Sequence, residues 1–173
     1  VSGKNTKSVA VLMGSASDKP VMNAAFEILT EFGVGFTGRV LSAHRTPEEV
    51  VRFVAEAEAG GVEVFICGAG MAAHLAGAVA ALTTKPVLAV PLESGGLGGL
   101  DALLASVQMP GGIPVAVFAV GRAGAKNAAL FAVECLALED TELASGLAGH
   151  REAQRAKVRS DDGELQRELG NGK

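Results

Sequence analysis

Three short stretches hold residue types that can do chemistry together. In LSAHRTPEEV (41–50), His44 and Arg45 stand side by side just ahead of a helix start. Thr46 is placed to serve as N-cap, Pro47 fits the first turn, and Glu49 falls three residues after the cap. A helix mouth attracts anions through its unpaired N–H groups and its dipole. Arg45 adds a bidentate grip for phosphate or carboxylate, and the same field favours a neutral, proton-accepting His44. The competing reading is a well-capped loop with two incidental side chains.

The second stretch is GSASD (14–18). Gly14 permits a tight turn, the hydroxyls of Ser15 and Ser17 can donate to phosphate, and Asp18 can accept from sugar hydroxyls. Equally, Ser17 or Asp18 could do no more than cap the next helix. The third is GAGMAAHLAG (68–77), whose small residues let backbone approach a ligand. His74 could bind that ligand or fill an interface. Gly68-x-Gly70-x-x-Ala73, with Glu93 after the next strand, also mimics a dinucleotide-binding fingerprint. Such a fingerprint usually opens a fold rather than falling in its middle. SGGLGGLD (94–101) lacks the Lys-Ser/Thr end of a P-loop and reads as a lid or an ordinary solvent loop.

These stretches need elements to carry them. Short apolar runs at 9–13, 62–67, 86–92 and 113–120 read as strands, with a weaker one at 36–42. Helical patterns lie between and after them at 18–32, 47–59, 72–83, 100–107 and 123–138. In the first, Val21, Ala25, Ile28 and Phe32 share a face; in the second, Val50, Val51, Phe53, Val54 and Ala57 do. Nearly continuous apolar strands alternating with helices specify a doubly wound α/β fold with a parallel sheet covered on both faces. In such folds ligands bind beyond the carboxyl ends of the strands, and all three stretches follow strands.

Composition narrows the function. The chain has 173 residues, 49% of them apolar, and is expected to form a single domain. Its core is expected over about 8–150, with a C-terminal helix and flexible tail over about 151–173. No apolar run reaches the roughly 18 residues of a membrane span, and VSGKNTKS at the start does not resemble a signal peptide. A cytoplasmic location is expected. A net charge of −4 argues against nucleic acid and anionic membranes as partners, and seven Phe without Trp or Tyr leave little for base stacking. Cys67 and Cys135 sit in apolar segments, as buried thiols rather than a disulfide. Two Cys and three His show no zinc spacing, so no metal is expected.

Taken together, MGSASD (13–18), SAHRTP (42–47), GAGMAAHLAG (68–77), GLDALLASVQMPGGIPVA (99–116) and GRAGAKNAALFA (121–132) resemble the phosphoribosylaminoimidazole carboxylase catalytic subunit family of purine biosynthesis. The resemblance runs over roughly residues 8–150 and is strongest to the N5-carboxyaminoimidazole ribonucleotide mutase class. It implies a flavodoxin-like three-layer domain, a homo-octamer and no metal or organic cofactor. It further implies an isomerase that moves a carboxyl group from N5 to C4 of the ribonucleotide. The family's other class instead carboxylates aminoimidazole ribonucleotide with free carbon dioxide. Carried over residue by residue, Ser15 and Asp18 bind the ribonucleotide and Arg45 grips its phosphate, with Ser17 and Ser42 in support. His44 moves the proton, while His74 and the backbone of Gly70, Met71 and Ala72 lie near the imidazole and migrating carboxylate. Three positions depart from the family pattern: Met71 replaces a common glycine, Ala76 a common proline, and Lys19-Pro20 a frequent bulky apolar residue.

Overall fold

The computed structural model describes residues 9–170, so the N-terminal VSGKNTKS and the last residues of the expected tail lie outside the described residues. The chain divides into two compact units, before and after Cys135. The first is built on five strands: β1 (Val9–Met13), β2 (Phe36–Val40), β3 (Val64–Gly70), β4 (Val87–Leu92) and β5 (Ala116–Val117). All pair in parallel, in the order β2-β1-β3-β4-β5. This is the flavodoxin-like order, whose switch point falls between β1 and β3.

Helices α1 (Lys19–Glu31), α2 (Pro47–Ala59), α3 (Leu75–Ala80), α4 (Leu100–Val107) and α5 (Arg122–Leu136) connect or follow the strands. Every residue of β1 and β4 is buried, which explains their unbroken apolar runs. Ala10, Leu12, Phe65, Cys67, Val87 and Ala89 form one core layer with Val50, Phe53 and Val54 of α2 and Val79 of α3. α4 packs over β4 and β5. On α1, Met22, Ala25, Ile28 and Leu29 are buried, while Val21 and Phe32 are only partly so. An exposed ion pair, Arg122 to Glu27 at 2.7 Å, joins α5 to α1. The Ala- and Gly-rich side of α5 (Gly124, Ala125, Ala128, Ala129, Ala132) is also buried.

Three elements of this unit differ from their expected bounds by more than two residues. β3 runs on through Gly68 and Gly70, because glycines pass where side chains would collide. A Cβ on Gly68 would meet Met22, and one on Gly70 would meet Ser94. Helix α3 starts only at Leu75, since residues 71–74 form a tight turn with Ala73 N–H donating to Met71 O and His74 N–H to Ala72 O. The strand expected at 113–120 shrinks to two residues. Ala89 and Pro91 of β4 both accept from this segment, through Phe118 and Gly121, but Pro91 has no N–H to return. The ladder stops there. Neither cysteine forms a disulfide: Cys67 is buried, where desolvation pushes its thiol far up, and Cys135 is half-buried.

The second unit carries α6 (Thr141–Gly170), a 30-residue helix without a buried residue. Asp140 caps it, its Oδ1 accepting from Glu142 and Leu143. Glu152 pairs with Arg155 and Arg159, and Lys157 with Asp161, along its surface. No helix among the described residues is long and apolar enough to cross a membrane.

Glycines in the two units should respond oppositely to alanine. A Cβ on Gly124 would overlap the Ala119 carbonyl, and backbone cannot step aside as a side chain can. Gly124→Ala should cost about 3 kcal/mol, read from the urea midpoint. Gly149→Ala, in open space on α6, should instead raise helix stability by about 0.5–1 kcal/mol. Equal effects at both positions would contradict the packing described for α5.

Candidate active site

The ends of β1, β2 and β3 bring the three sequence stretches to one edge of the sheet. Met13 is paired with Val40 on one side and Gly68 on the other, so the first two loops leave at one level and β3 runs two residues further, to Gly70. They enclose a pocket of about 280 Å³ lined by Gly14, Ser15, Ser17 and Asp18 from the first loop. Ser42, Ala43, His44 and Arg45 line it from the second, and Ala69, Gly70, Met71, Ala72 and Leu75 from the third.

The first loop is a single turn of 3₁₀ helix, Ala16–Asp18, whose cap is Ser15. Asp18 Oδ2 accepts the Ser15 N–H at 2.9 Å, and Ser15 Oγ accepts from Ser17 N–H and from the Ser17 hydroxyl at 2.9 Å. Capping and site-building are therefore done by the same side chains. Asp18 is 7% exposed. Burial pushes its carboxyl up, opposed by the Ser15 N–H and by the Arg45 guanidinium.

The second loop departs from the capping scheme read in the sequence. Thr46 occupies the N-cap position but makes no side-chain cap bond to α2. Its hydroxyl turns back instead, accepting from Ser42 N–H and donating to Ser42 O. Ser42 Oγ in turn accepts from Arg45 N–H at 3.2 Å and Arg45 Nε at 3.3 Å, and Arg45 Nη2 donates to Gly14 O at 2.9 Å. The guanidinium thus ties the second loop to the first. The first turn of α2 does not line the pocket, so an anion there meets Arg45 and hydroxyls rather than the helix mouth.

His44 Nε2 lies 2.9 Å from His74 Nδ1, with the rings edge to face at 79°. One proton occupies that bond, and its side decides the tautomers. When His44 donates, its other nitrogen is left as an acceptor, a base. When His74 donates, that nitrogen carries the proton, an acid. His74 does not line the pocket itself and reaches it through His44.

Ser94, on the loop after β4, completes the lining; reading that loop as a lid or solvent loop missed it. The available signal was its position directly after an expected strand. The dinucleotide fingerprint fails on geometry, because Gly68 and Gly70 are strand residues paired into the sheet and not a turn opening a helix. Among the described residues, no three His, Cys, Asp or Glu side chains gather as a metal site.

Asp18 yields a pH prediction. Its folded-state pKa is raised, so the ionised carboxylate destabilises the fold at neutral pH and this penalty fades as pH falls into the carboxylate range. Asp18→Asn keeps an acceptor for Ser15 N–H while removing the charge. It should melt no lower than the parent near pH 7, with a weaker gain in stability on acidification. Calorimetry at neutral and acidic pH checks this, and a large loss of stability at pH 7 would contradict it.

Residues 8–157 match the AIR carboxylase family. The N5-carboxyaminoimidazole ribonucleotide mutase of Saccharolobus solfataricus is 52% identical over 152 residues, spanning 88% of this chain and 95% of that protein. The protein of the same name from Escherichia coli is 48% identical over 157 residues, spanning 91% and 93%. A crystal structure of Treponema denticola PurE superimposes with a TM-score of 0.83 at 34% identity, covering 91% of this chain and 97% of that one. The family model spans most of the chain and the relatives are about half identical over most of their own length, so the chain belongs to the AIR carboxylase family.

Proposed function

We propose that this protein is an N5-carboxyaminoimidazole ribonucleotide mutase of purine biosynthesis, an enzyme that moves a carboxyl group from N5 to C4. The observation that carries the reading is the meeting of a guanidinium, a buried carboxylate, hydroxyls and a histidine pair in one pocket, in a chain half identical to relatives of that name. In this reading Arg45 grips the phosphate, with Ser17 and Ser42 in support, while Ser15 and Asp18 take the ribonucleotide's remaining polar groups. The Gly70–Ala72 backbone borders the imidazole and the carboxylate, and His74 stands behind His44.

The reaction balances without an outside reagent. The N5–carboxyl bond breaks, its electron pair stays on nitrogen, and carbon dioxide is released inside the pocket. C4 of the electron-rich ring attacks that carbon, giving a C4 that bears both the new carboxylate and its original proton. His44 removes this proton, restoring aromaticity, and returns one to the amine. The His44–His74 bond lets one residue serve as base and then acid. Enclosure keeps the carbon dioxide from escaping.

We also propose a cytoplasmic homo-oligomer, with the octamer as preferred state. Leu97, Leu100, Leu104 and Val107, spaced three and four residues apart, are all about half exposed or more, which makes an apolar stripe on and before α4. The stripe is open to a neighbour, whereas the Ala- and Gly-rich side of α5 is buried in its own unit. A stable, active monomer in sedimentation at assay concentration would defeat this.

The two central residues should separate kinetically. Arg45→Ala should weaken substrate binding by about 1.5–3 kcal/mol. His44→Asn should keep the fold and much of the binding but lose roughly 10²–10⁴-fold in single-turnover rate. Near-normal turnover in His44→Asn would remove the mechanism. Efficient synthesis from aminoimidazole ribonucleotide and bicarbonate alone would move the enzyme to the carboxylase class.

A further inference from the structure

Met71 is the one non-glycine residue among those described with a positive φ, at 55°. An L side chain is strained there, whereas glycine would not be. Core packing does not explain the methionine either, for the residue is 59% exposed. Its place in the fold is more telling. The Met71 carbonyl accepts from Ala73 N–H at the start of the turn that delivers His74 to His44. Its side chain lines the pocket and reaches toward the loop after β4, where a Cβ on Gly95 would lie 3.9 Å from Met71 Cγ. Ser94, next to Gly95, lines the same pocket and packs over Gly70. The Met71 side chain thus leaves the third loop on the side of the loop after β4, at the pocket's rim.

We propose that Met71 is a retention residue, whose apolar side chain closes the rim above the Gly70–Ala72 turn and holds released carbon dioxide until C4 captures it. The proposal rests on the mutase reading. Carbon dioxide carries no charge and no net dipole, so hydrogen-bonding groups hold it poorly, and a barrier is more effective than a binding site. A long, flexible, apolar side chain supplies that barrier and also keeps water out. Methyl and sulfur at this rim take no part in bond making. Glycine is common at this place in the family pattern, so the closure belongs to this chain's own rim and is kept despite the strained φ.

The test compares the parent chain with Met71→Gly and Met71→Leu. Each is given unlabelled N5-carboxyaminoimidazole ribonucleotide in buffer containing labelled bicarbonate and carbonic anhydrase. Two ratios are read: labelled to total product, and free aminoimidazole ribonucleotide to product. Both are corrected for decarboxylation of the carbamate in enzyme-free buffer over the same time, so a changed rate does not enter. Met71→Gly should raise both ratios several-fold, and Met71→Leu should hold them near the parent values. Because glycine relieves the φ, Met71→Gly should melt no lower than the parent, which separates leakage from misfolding. Unchanged ratios in Met71→Gly, or equal leakage in Met71→Leu, would overturn the role of Met71 while leaving the mutase reading in place. A parent chain that makes no product from the carbamate would overturn both.

Discussion

The site depends on how the sheet ends at Met13. Its carbonyl takes the Leu41 N–H at 2.8 Å, while the next residue, Gly14, sends its own N–H to Gly68 O at 3.1 Å. Those bonds start the first two loops at one height and fix the register in which β3 runs on to Gly70 beside them. Because side chains alternate across a strand, a slip of one residue in β1 would exchange the two core layers and part the loops. Packing opposes that slip, since it would trade Ala10 and Leu12 on one face for Val9, Val11 and Met13 on the other. Hydrophobic burial thus sets the height at which polar chemistry begins.

Above that level, polar bonds take over from packing. Asp18 stiffens the first loop through Ser15, Thr46 and Ser42 lock the second onto itself, and Arg45 crosses from second to first. His44 then meets the third loop at His74. Each contact satisfies a group that would otherwise need water, so the pocket wall is organised by its own donors and acceptors. Little side chain bulk is needed, and small residues dominate the remaining lining.

Much of this was legible in the sequence, for physical reasons that can be named. Strands buried on both faces leave unbroken apolar runs, and α2 matches its expected span, 47–59, because a Thr-Pro start and a Gly60 stop bracket it. The loops were legible because doubly wound folds place ligands after strands. Other features depend on tertiary partners that leave no local mark. The early end of β5 follows from a proline in a different strand, Pro91, and the extension of β3 from glycines that pass close against Met22 and Ser94. Thr46 had the right type and place for a cap, yet Ser42 four residues earlier outcompeted the helix for its hydroxyl. The pairing of His44 with His74 spans thirty positions, beyond any periodic signal.

Arg45 has a consequence of its own. Its guanidinium is already anchored on Gly14 O and Ser42 Oγ before any ligand arrives. A free arginine surrenders rotamer freedom when it binds; here that entropy is lost during folding, and less remains to be lost on association. Arginine also cannot shed its proton to adapt to a neutral guest. For the phosphate role proposed here, an unphosphorylated nucleoside would cover a fixed cation and return nothing for its lost hydration. In that proposed role, discrimination between nucleotide and nucleoside would lie in the resting conformation of a single side chain.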